Sequence, residues 1–381
     1  MILMNLTCLA IAGACIWIVI LLLPWRPWAT AEFLDAAKDF AEEDLSDITV
    51  LIPARNEAGV IETTLTGLKT QGDNLNIILV DDQSVDGTAR AAKASAGKNL
   101  RVISGSLPKS GWSGKLWALE QGLRYVDTEL LLLLDADIEL KPGILQTLRK
   151  KMREDGLQLI SLMVTLRMVR FWERLLMPAF IYFFKMLYPF RLSNSTFPWV
   201  AAAAGGCILV KTEAIKEIGG FGALRSELID DCALAKRVKS SGRRIWIGLS
   251  HSACSLRPYD DLRAIWDMVA RTAFNQLRYS TLLLFLCTAI MIVVFWLPVA
   301  GLFFPSTIAK IISACALCAM ALSYFPTLRF YGLTKAWILC LPAVGTLYLA
   351  MTWTSAIRFW QGKGSEWKGR SYASKQRPKI T

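Results

Sequence analysis

Histidine is almost missing from this sequence: His251 is the only one in 381 residues. A Ser-His-Asp hydrolase would have to be built on that one side chain, and we read His251 as a surface residue instead. Charge is also scarce. Asp, Glu, Lys and Arg make up 19% of the chain against 54% hydrophobic residues, and mean hydropathy is +0.39. The apolar excess must therefore lie in a membrane or in a very large core. No G-x-G-x-x-G follows the first apolar strand, which argues against a dehydrogenase. No other Gly-rich loop stands there, which argues against a nucleotidyltransferase on a similar sheet. Basic-aromatic repeats and finger spacings do not occur, so nucleic acid is not an expected partner. Of nine cysteines, Cys8, Cys15, Cys287, Cys315, Cys318 and Cys340 lie in long apolar segments. They make no disulfide scaffold, and Cys315-x-x-Cys318 lacks the second pair a zinc site wants.

What the sequence does have is positive charge and long apolar runs. The net charge of +12 suits anionic lipid surfaces or anionic substrates. Residues 5–24 carry no charge and are long enough to span a bilayer, as are 281–301, 307–327 and 336–357. The Ala29-Thr30-Ala31 stretch resembles a cleavage site. However, the start lacks a positive region and the apolar run is long, so residues 1–25 read as an uncleaved anchor. Arg26 on one side, and Arg257, Arg263, Arg271 and Arg278 before the next span, place the central region in the cytoplasm. The expected location is thus the inner (cytoplasmic) membrane, multi-pass. Three later crossings would put the basic tail, 358–381, outside, against the same rule.

Between the apolar runs the chain alternates. A β-branched run, Ile48 to Ile52, stops at Pro53, and a helical pattern begins near Ala58. "NIILVDDQSVDGTARAAKAS" repeats strand, acidic turn and helix; "NLRVISG" is a third strand; "GWSGKLWALEQGLRYV" opens a helix; "ELLLLLDADIEL" is a fourth strand. Such alternation predicts an α/β fold, a mostly parallel central sheet with helices on both faces. Ligands of these sheets sit beyond the carboxyl ends of the strands, where Asp82 and Asp135 fall. Asp135 and Asp137, spaced i and i+2, face the same way on an extended chain. Two nearby carboxylates repel unless a cation joins them, and oxygen-only ligands favour Mg2+ or Mn2+ shared with a substrate's phosphates. Lys115 in "GWSGK" can meet a phosphate. Asp230 and Asp231 begin a helix, where carboxylates are favoured in any case.

Taken in order, "PARNE", "VDDQSVDGT", the Gly-Lys at 114–115, "DAD" and "DDCAL" resemble the motifs of family 2 glycosyltransferases with the GT-A fold. The match covers about residues 47–255. "GWSGKLWA", "ELIDDCALAKRVK" and "MVARTAFNQLRYS" resemble more closely the hopene-associated (hopanoid biosynthesis) members. The resemblance implies an enzyme, a hexosyltransferase that moves one sugar from a nucleotide-diphosphate sugar, a UDP-sugar first, with inversion. It implies that Pro53, Arg55, Glu57 and Asp82 line the nucleotide pocket, with Lys115 near the diphosphate. Asp135 and Asp137 would form the metal motif, with Asp137 as the first-choice ligand. Asp231 would be the catalytic base, supported by Asp230, which stands where the family has Glu. The Q-x-x-R-W of the processive members is represented only by "NQLRY" (275–279), which favours single transfer.

The predicted layout is an anchor (1–25), a linker (26–46), a catalytic domain (47–255), an amphipathic interface segment (256–280) and membrane segments (281–357). Within the domain, 165–192 is aromatic and carries Arg167, Arg170, Arg174, Lys185 and Arg191. It reads as interfacial helices, with anionic lipids of the bilayer as partners. A lipid acceptor (polyisoprenoid, hopanoid or glycerolipid) follows as an expectation. The non-enzyme alternative, an inactive membrane scaffold, would tolerate loss of the acidic sites, yet all of them stand.

Overall fold

Five consecutive leucines, Leu130 to Leu134, form a strand in which every side chain is buried. Each contributes about 1.5–3 kcal/mol of transfer free energy. They lie inside an eight-stranded sheet: β1 Ile48–Ala54, β2 Asn76–Asp81, β3 Leu100–Ser104, β4 Leu130–Leu134, β5 Ile138–Leu140, β6 Leu159–Thr165, β7 Cys207–Lys211 and β8 Ile245–Ser255. The computed structural model describes residues 2–37, 43–95, 97–225, 227, 229–363, 365–367 and 370–372. The strand order is β3-β2-β1-β4-β7-β6-β8-β5. β1 pairs in parallel with β2 and β4, β2 with β3, and β6 with β8, whereas β7 and β5 run against their neighbours. The mostly parallel α/β sheet is therefore present, with antiparallel insertions in its second half.

Helices cover both faces. α2 (Ile61–Lys69) and α5 (Ile144–Glu154) pack with one apolar cluster, and α4 (Gly114–Leu123) packs with the other. Near-continuous apolar strands are what burial on two faces requires. β1 runs through Pro53 to Ala54. Its last pair with β4 is Leu51↔Leu133, so the missing Pro53 N–H breaks no bond of that ladder.

Beyond the sheet, α1 (Ile2–Leu22) packs beside two segments long and apolar enough to cross a membrane, Thr281–Gly301 and Thr307–Phe330, and Lys335–Trp360 is a further segment of that kind. Trp17 Nε1 donates to Val294 O at 2.8 Å, tying α1 to the first of them. The helix Phe171–Leu187 (α6) connects this bundle to the sheet. Tyr182 Oη lies 2.8 Å from Ser323 Oγ, and Tyr348 Oη donates to Leu176 O at 2.9 Å. Lys185 is buried, donating to Trp28 O, Ala29 O and Thr327 Oγ1. Arg167, Arg170 and Arg174 remain at the surface near the α6 start.

His251 lies at the surface, as expected from sequence, and is firmly held there. Its Nδ1 lies 2.9 Å from Asp35 Oδ2, its Nε2 2.8 Å from Phe330 O, and its ring stacks on Phe330 at 3.9 Å. It joins the segment after α1, strand β8 and the end of the Thr307–Phe330 helix. Lys368, Lys375, Arg377 and Lys379 of the basic tail lie outside the described residues.

Candidate active site

The loops after β1 and β2 are laced together. Asn56 adopts φ 52, a left-handed conformation a non-glycine residue reaches at some cost. That turn is held by Asn56 N donating to Ser84 Oγ and by Val85 N donating to Asn56 Oδ1. Arg55 Nη1 donates to Asp82 O at 2.6 Å, and Glu57 N donates to Thr88 Oγ1 at 2.8 Å. Asp82 is 1% exposed, and its N–H bonds Ala54 O at 2.8 Å. Pro53, Arg55, Glu57 and Asp82 thus cluster where β1 and β2 end.

At the start of α4, Ser113 Oγ caps the helix by accepting from Leu116 N. The cap fixes the turn that delivers Lys115. Lys115 Nζ lies 2.7 Å from Asp135 Oδ1. Burial works against the ammonium, but Asp135, then Asp230 and Asp231, outweigh it and raise the Lys115 pKa. Pro53, Lys115, Asp135, Gly205, Asp230 and Asp231 line one pocket.

Asp230 and Asp231 are the first residues of the helix Asp230–Ser240. Asp231 Oδ2 accepts from Gly205 N at 2.8 Å and its Oδ1 from Cys232 N at 2.7 Å. Burial, then the neighbouring Asp230 charge, push its pKa up to about 6, against the pull of Lys115 and the two N–H donors. Gly205 is needed for close approach, since a Cβ there would lie 3.2 Å from Lys115 Nζ and 3.3 Å from Asp231 Oδ2.

Asp135 and Asp137 do not continue the strand as expected. The chain turns at 135–137, closed by Ile138 N donating to Asp135 O, and enters β5 at the far edge of the sheet. Because the backbone bends, the two carboxylates meet different cations. Asp135 meets Lys115. Asp137, 6% exposed, accepts from Arg257 Nε at 2.7 Å. Arg257 also reaches Glu57 Oε1 at 3.2 Å. Sequence reasoning missed Arg257 in this role, having read it as a membrane-flanking charge. Its position two residues past β8, a strand parallel to β6, was the signal that could have found it.

The segment after β8 is anchored to α6. Glu173, fully buried, accepts from Tyr259 N, Val169 N and Arg170 N. Burial raises its pKa, but those three N–H donors, with Arg167, lower it overall. Just after α6, Tyr188 Oη donates to Gln276 Oε1 at 2.7 Å. Burial, then Cys232, raise the Tyr188 pKa against the opposing hydrogen bond to Gln276. Gln276 of "NQLRY" is therefore held by Tyr188.

The donor set suits a hard divalent cation in one way only. The acids are oxygen donors, and each of Asp135, Asp137 and Glu57 already faces positive charge. Among the described residues no three His, Cys, Asp or Glu side chains group to hold a metal by themselves. Mg2+ or Mn2+ fits here with one or two carboxylates, the remaining ligands coming from a substrate's phosphates.

Comparison with known proteins places the fold and the domain. Among curated proteins, the chain is 35% identical over 98 residues to a 4,4'-diaponeurosporenoate glycosyltransferase of Staphylococcus haemolyticus (strain JCSC1435), covering 26% of each chain. It is 31% identical over 110 residues to the protein of that name from Staphylococcus aureus (strain USA300), covering 29% of each. The chain thus spans about a quarter of the length of the curated relatives it matches. A mannosyltransferase of Pyrobaculum calidifontis, solved with GDP-Man and Mn2+, has the same fold. Its TM-score is 0.54 at 20% identity, covering 93% of this chain and 99% of that one. Residues 49–219, which hold all but the first residue of β1, the strands β2 to β7 and every pocket residue named above except Asp230 and Asp231, match the glycosyl transferase family 2 model and form such a domain.

Proposed function

We propose that the protein transfers a single sugar from a nucleotide-diphosphate sugar, a UDP-sugar first, to a lipid acceptor at the membrane. The observation that carries this reading is the pocket at the strand ends, where Lys115 lies between Asp135 on one side and Asp230 and Asp231 on the other. A diphosphate needs a fixed cation, and an attacking hydroxyl needs a base. Lys115 supplies the first and Asp231 the second.

On this reading Asp231 takes the acceptor's hydroxyl proton as that oxygen bonds the anomeric carbon. The bond from that carbon to the phosphate oxygen breaks, and the nucleoside diphosphate leaves with the electron pair. A carboxyl raised toward neutrality is better matched to this task than an ordinary one. One base, with no second carboxylate assigned as nucleophile, corresponds to direct displacement and inversion. Pro53, Arg55, Glu57 and Asp82 receive the nucleotide, Lys115 the diphosphate, and Asp230 supports Asp231 electrostatically. Asp135 and Asp137 would hold Mg2+ or Mn2+, which when bound neutralises charge on the departing diphosphate.

Three segments long and apolar enough to cross a membrane, packed through α6 against the sheet, support a lipid acceptor. The relatives' own name for their acceptor, 4,4'-diaponeurosporenoate, supports it too. A polyisoprenoid or hopanoid fits this reading, with a glycerolipid as the other class. The domain faces the cytoplasm of a multi-pass inner-membrane protein, and surface arginines near α6 meet anionic lipids.

The test is purified protein with Mn2+ and a panel of nucleotide sugars, following release of nucleoside diphosphate. One donor should be hydrolysed well above the others. No release from any donor would sink the reading, and pyrophosphate release from a nucleoside triphosphate would redirect it to nucleotidyl transfer.

A further inference from the structure

Arg257 holds together two acids from separate loops. Its Nε donates to Asp137 Oδ2 at 2.7 Å and its Nη2 to Glu57 Oε1 at 3.2 Å. Asp137 comes from the turn after β4, Glu57 from the loop after β1, and Arg257 from the end of β8. The Asp137 and Glu57 side chains are 9% and 13% exposed, so the contacts lie where screening by water is weak.

A carboxylate oxygen engaged by a guanidinium is not open to a second cation, and the two cations repel. A divalent ion can therefore use Asp137 fully only if Arg257 lets go. Arginine pairs with phosphate through two parallel N–H bonds, and a diphosphate carries more charge than one carboxylate. Building on the glycosyltransferase reading above, we propose that Arg257 is a place-holder for the divalent ion. Without a nucleotide, the guanidinium occupies Asp137 and keeps the ion out. A bound diphosphate draws Arg257 away and opens Asp137. Ion and nucleotide then bind as a coupled pair, each raising the other's affinity by the same factor. Arg257 is a positioning residue on this account, and it prevents Asp137 from capturing stray divalent cations between turnovers.

The test measures Mn2+ binding, not activity, in the full-length protein, by calorimetry or by the Mn2+ electron paramagnetic resonance signal, with and without UDP. The wild type should bind Mn2+ weakly alone and about tenfold or more tighter with saturating UDP, within the usual range of coupling. Arg257→Gln should bind Mn2+ alone about tenfold tighter than the wild type, and UDP should then add little. If Arg257→Gln does not fold, Arg257→Lys carries the test. It keeps the charge but not the fork, so it should tighten Mn2+ binding without UDP by a smaller factor, about threefold. If the wild type binds Mn2+ tightly with UDP while these variants bind it alone no better than the wild type, the place-holder idea is wrong. If no protein binds Mn2+ under any condition yet the donor is hydrolysed, the metal assignment fails and takes this inference with it. If neither UDP nor GDP binds, the glycosyltransferase reading is what fails.

Discussion

The backbone N–H of Gly205 donates to Asp231 Oδ2 at 2.8 Å, so the residue before β7's approach fixes the carboxylate that begins a different helix. A Cβ at 205 would press on that oxygen at 3.3 Å and on Lys115 Nζ at 3.2 Å. The lysine end can shift a few tenths of an ångström, but only at the expense of its 2.7 Å contact with Asp135. Gly205→Ala should therefore fold and melt within a few degrees of the wild type while transferring sugar about tenfold more slowly, since small displacements at reacting groups are costly. Thermal melting beside transfer of labelled sugar checks both halves. Full activity would mean that the spacing of Lys115 and Asp231 is not critical.

The basic residues near the start of α6 give a second prediction. Arg167 lies 4.0 Å from buried Glu173, Arg170 lies 3.2 Å from Asp260, and Arg174 Nε donates to Met168 O. None of these contacts removes the side chains from the surface. Each basic group near an anionic bilayer is worth about 1 kcal/mol. In nanodiscs, the wild type should be more active with anionic than with neutral lipid, and the triple change to Gln at 167, 170 and 174 should remove that difference. An undiminished lipid dependence would assign the effect to other residues.

Local sequence made the parallel half of the sheet legible. Five buried leucines, the acidic strand ends at Asp82 and Asp135, and the helix start at Asp230 each follow from residue type and position. Tertiary partners were not legible. The turn at Asp135–Asp137 depends on β5 crossing to pair with β8, a contact more than a hundred residues distant. Helix α2 starts at Ile61, not Ala58, because the intervening turn is held by bonds to the β2 loop. The contacts of His251 were hidden because its partners, Asp35 and Phe330, lie far from it in the chain. The role of Arg257 was hidden for the same reason, since an arginine before a membrane segment has an adequate local explanation.

A third prediction concerns Asp137. Asp137→Asn leaves Arg257 paired with Glu57, so no buried charge is stranded and the fold should persist. The variant loses the anionic oxygen that a divalent ion requires. Transfer should fall about 100-fold or more, a typical cost of losing one preorganised electrostatic element. EDTA should likewise stop the wild type, and Mn2+ should restore it. Near-normal transfer by Asp137→Asn in Mn2+-supplemented buffer would show that Asp137 serves the structure and not the reaction.

The last prediction separates base from binding site. Asp231 is held by two N–H donors and lies next to Lys115, yet burial and Asp230 raise its pKa to about 6. The base must be ionised to take a proton, so activity should be lost as pH falls through about 6 and level off above it. Asp231→Asn removes that ionisation. It should bind nucleotide sugar as the wild type does, because Arg55, Asp82 and Lys115 remain. Transfer should drop about 10²–10⁴-fold, the usual contribution of a general base, and the residual rate should no longer follow the pH step. Asp230→Asn should cost less. It also removes the neighbouring charge that helps to raise the Asp231 pKa, so its pH step should move to lower pH. Calorimetry for binding and labelled sugar across pH 5–8 for transfer distinguish the two. An Asp231→Asn enzyme with a normal rate would move the base elsewhere, and one that cannot bind donor would place Asp231 in the donor site.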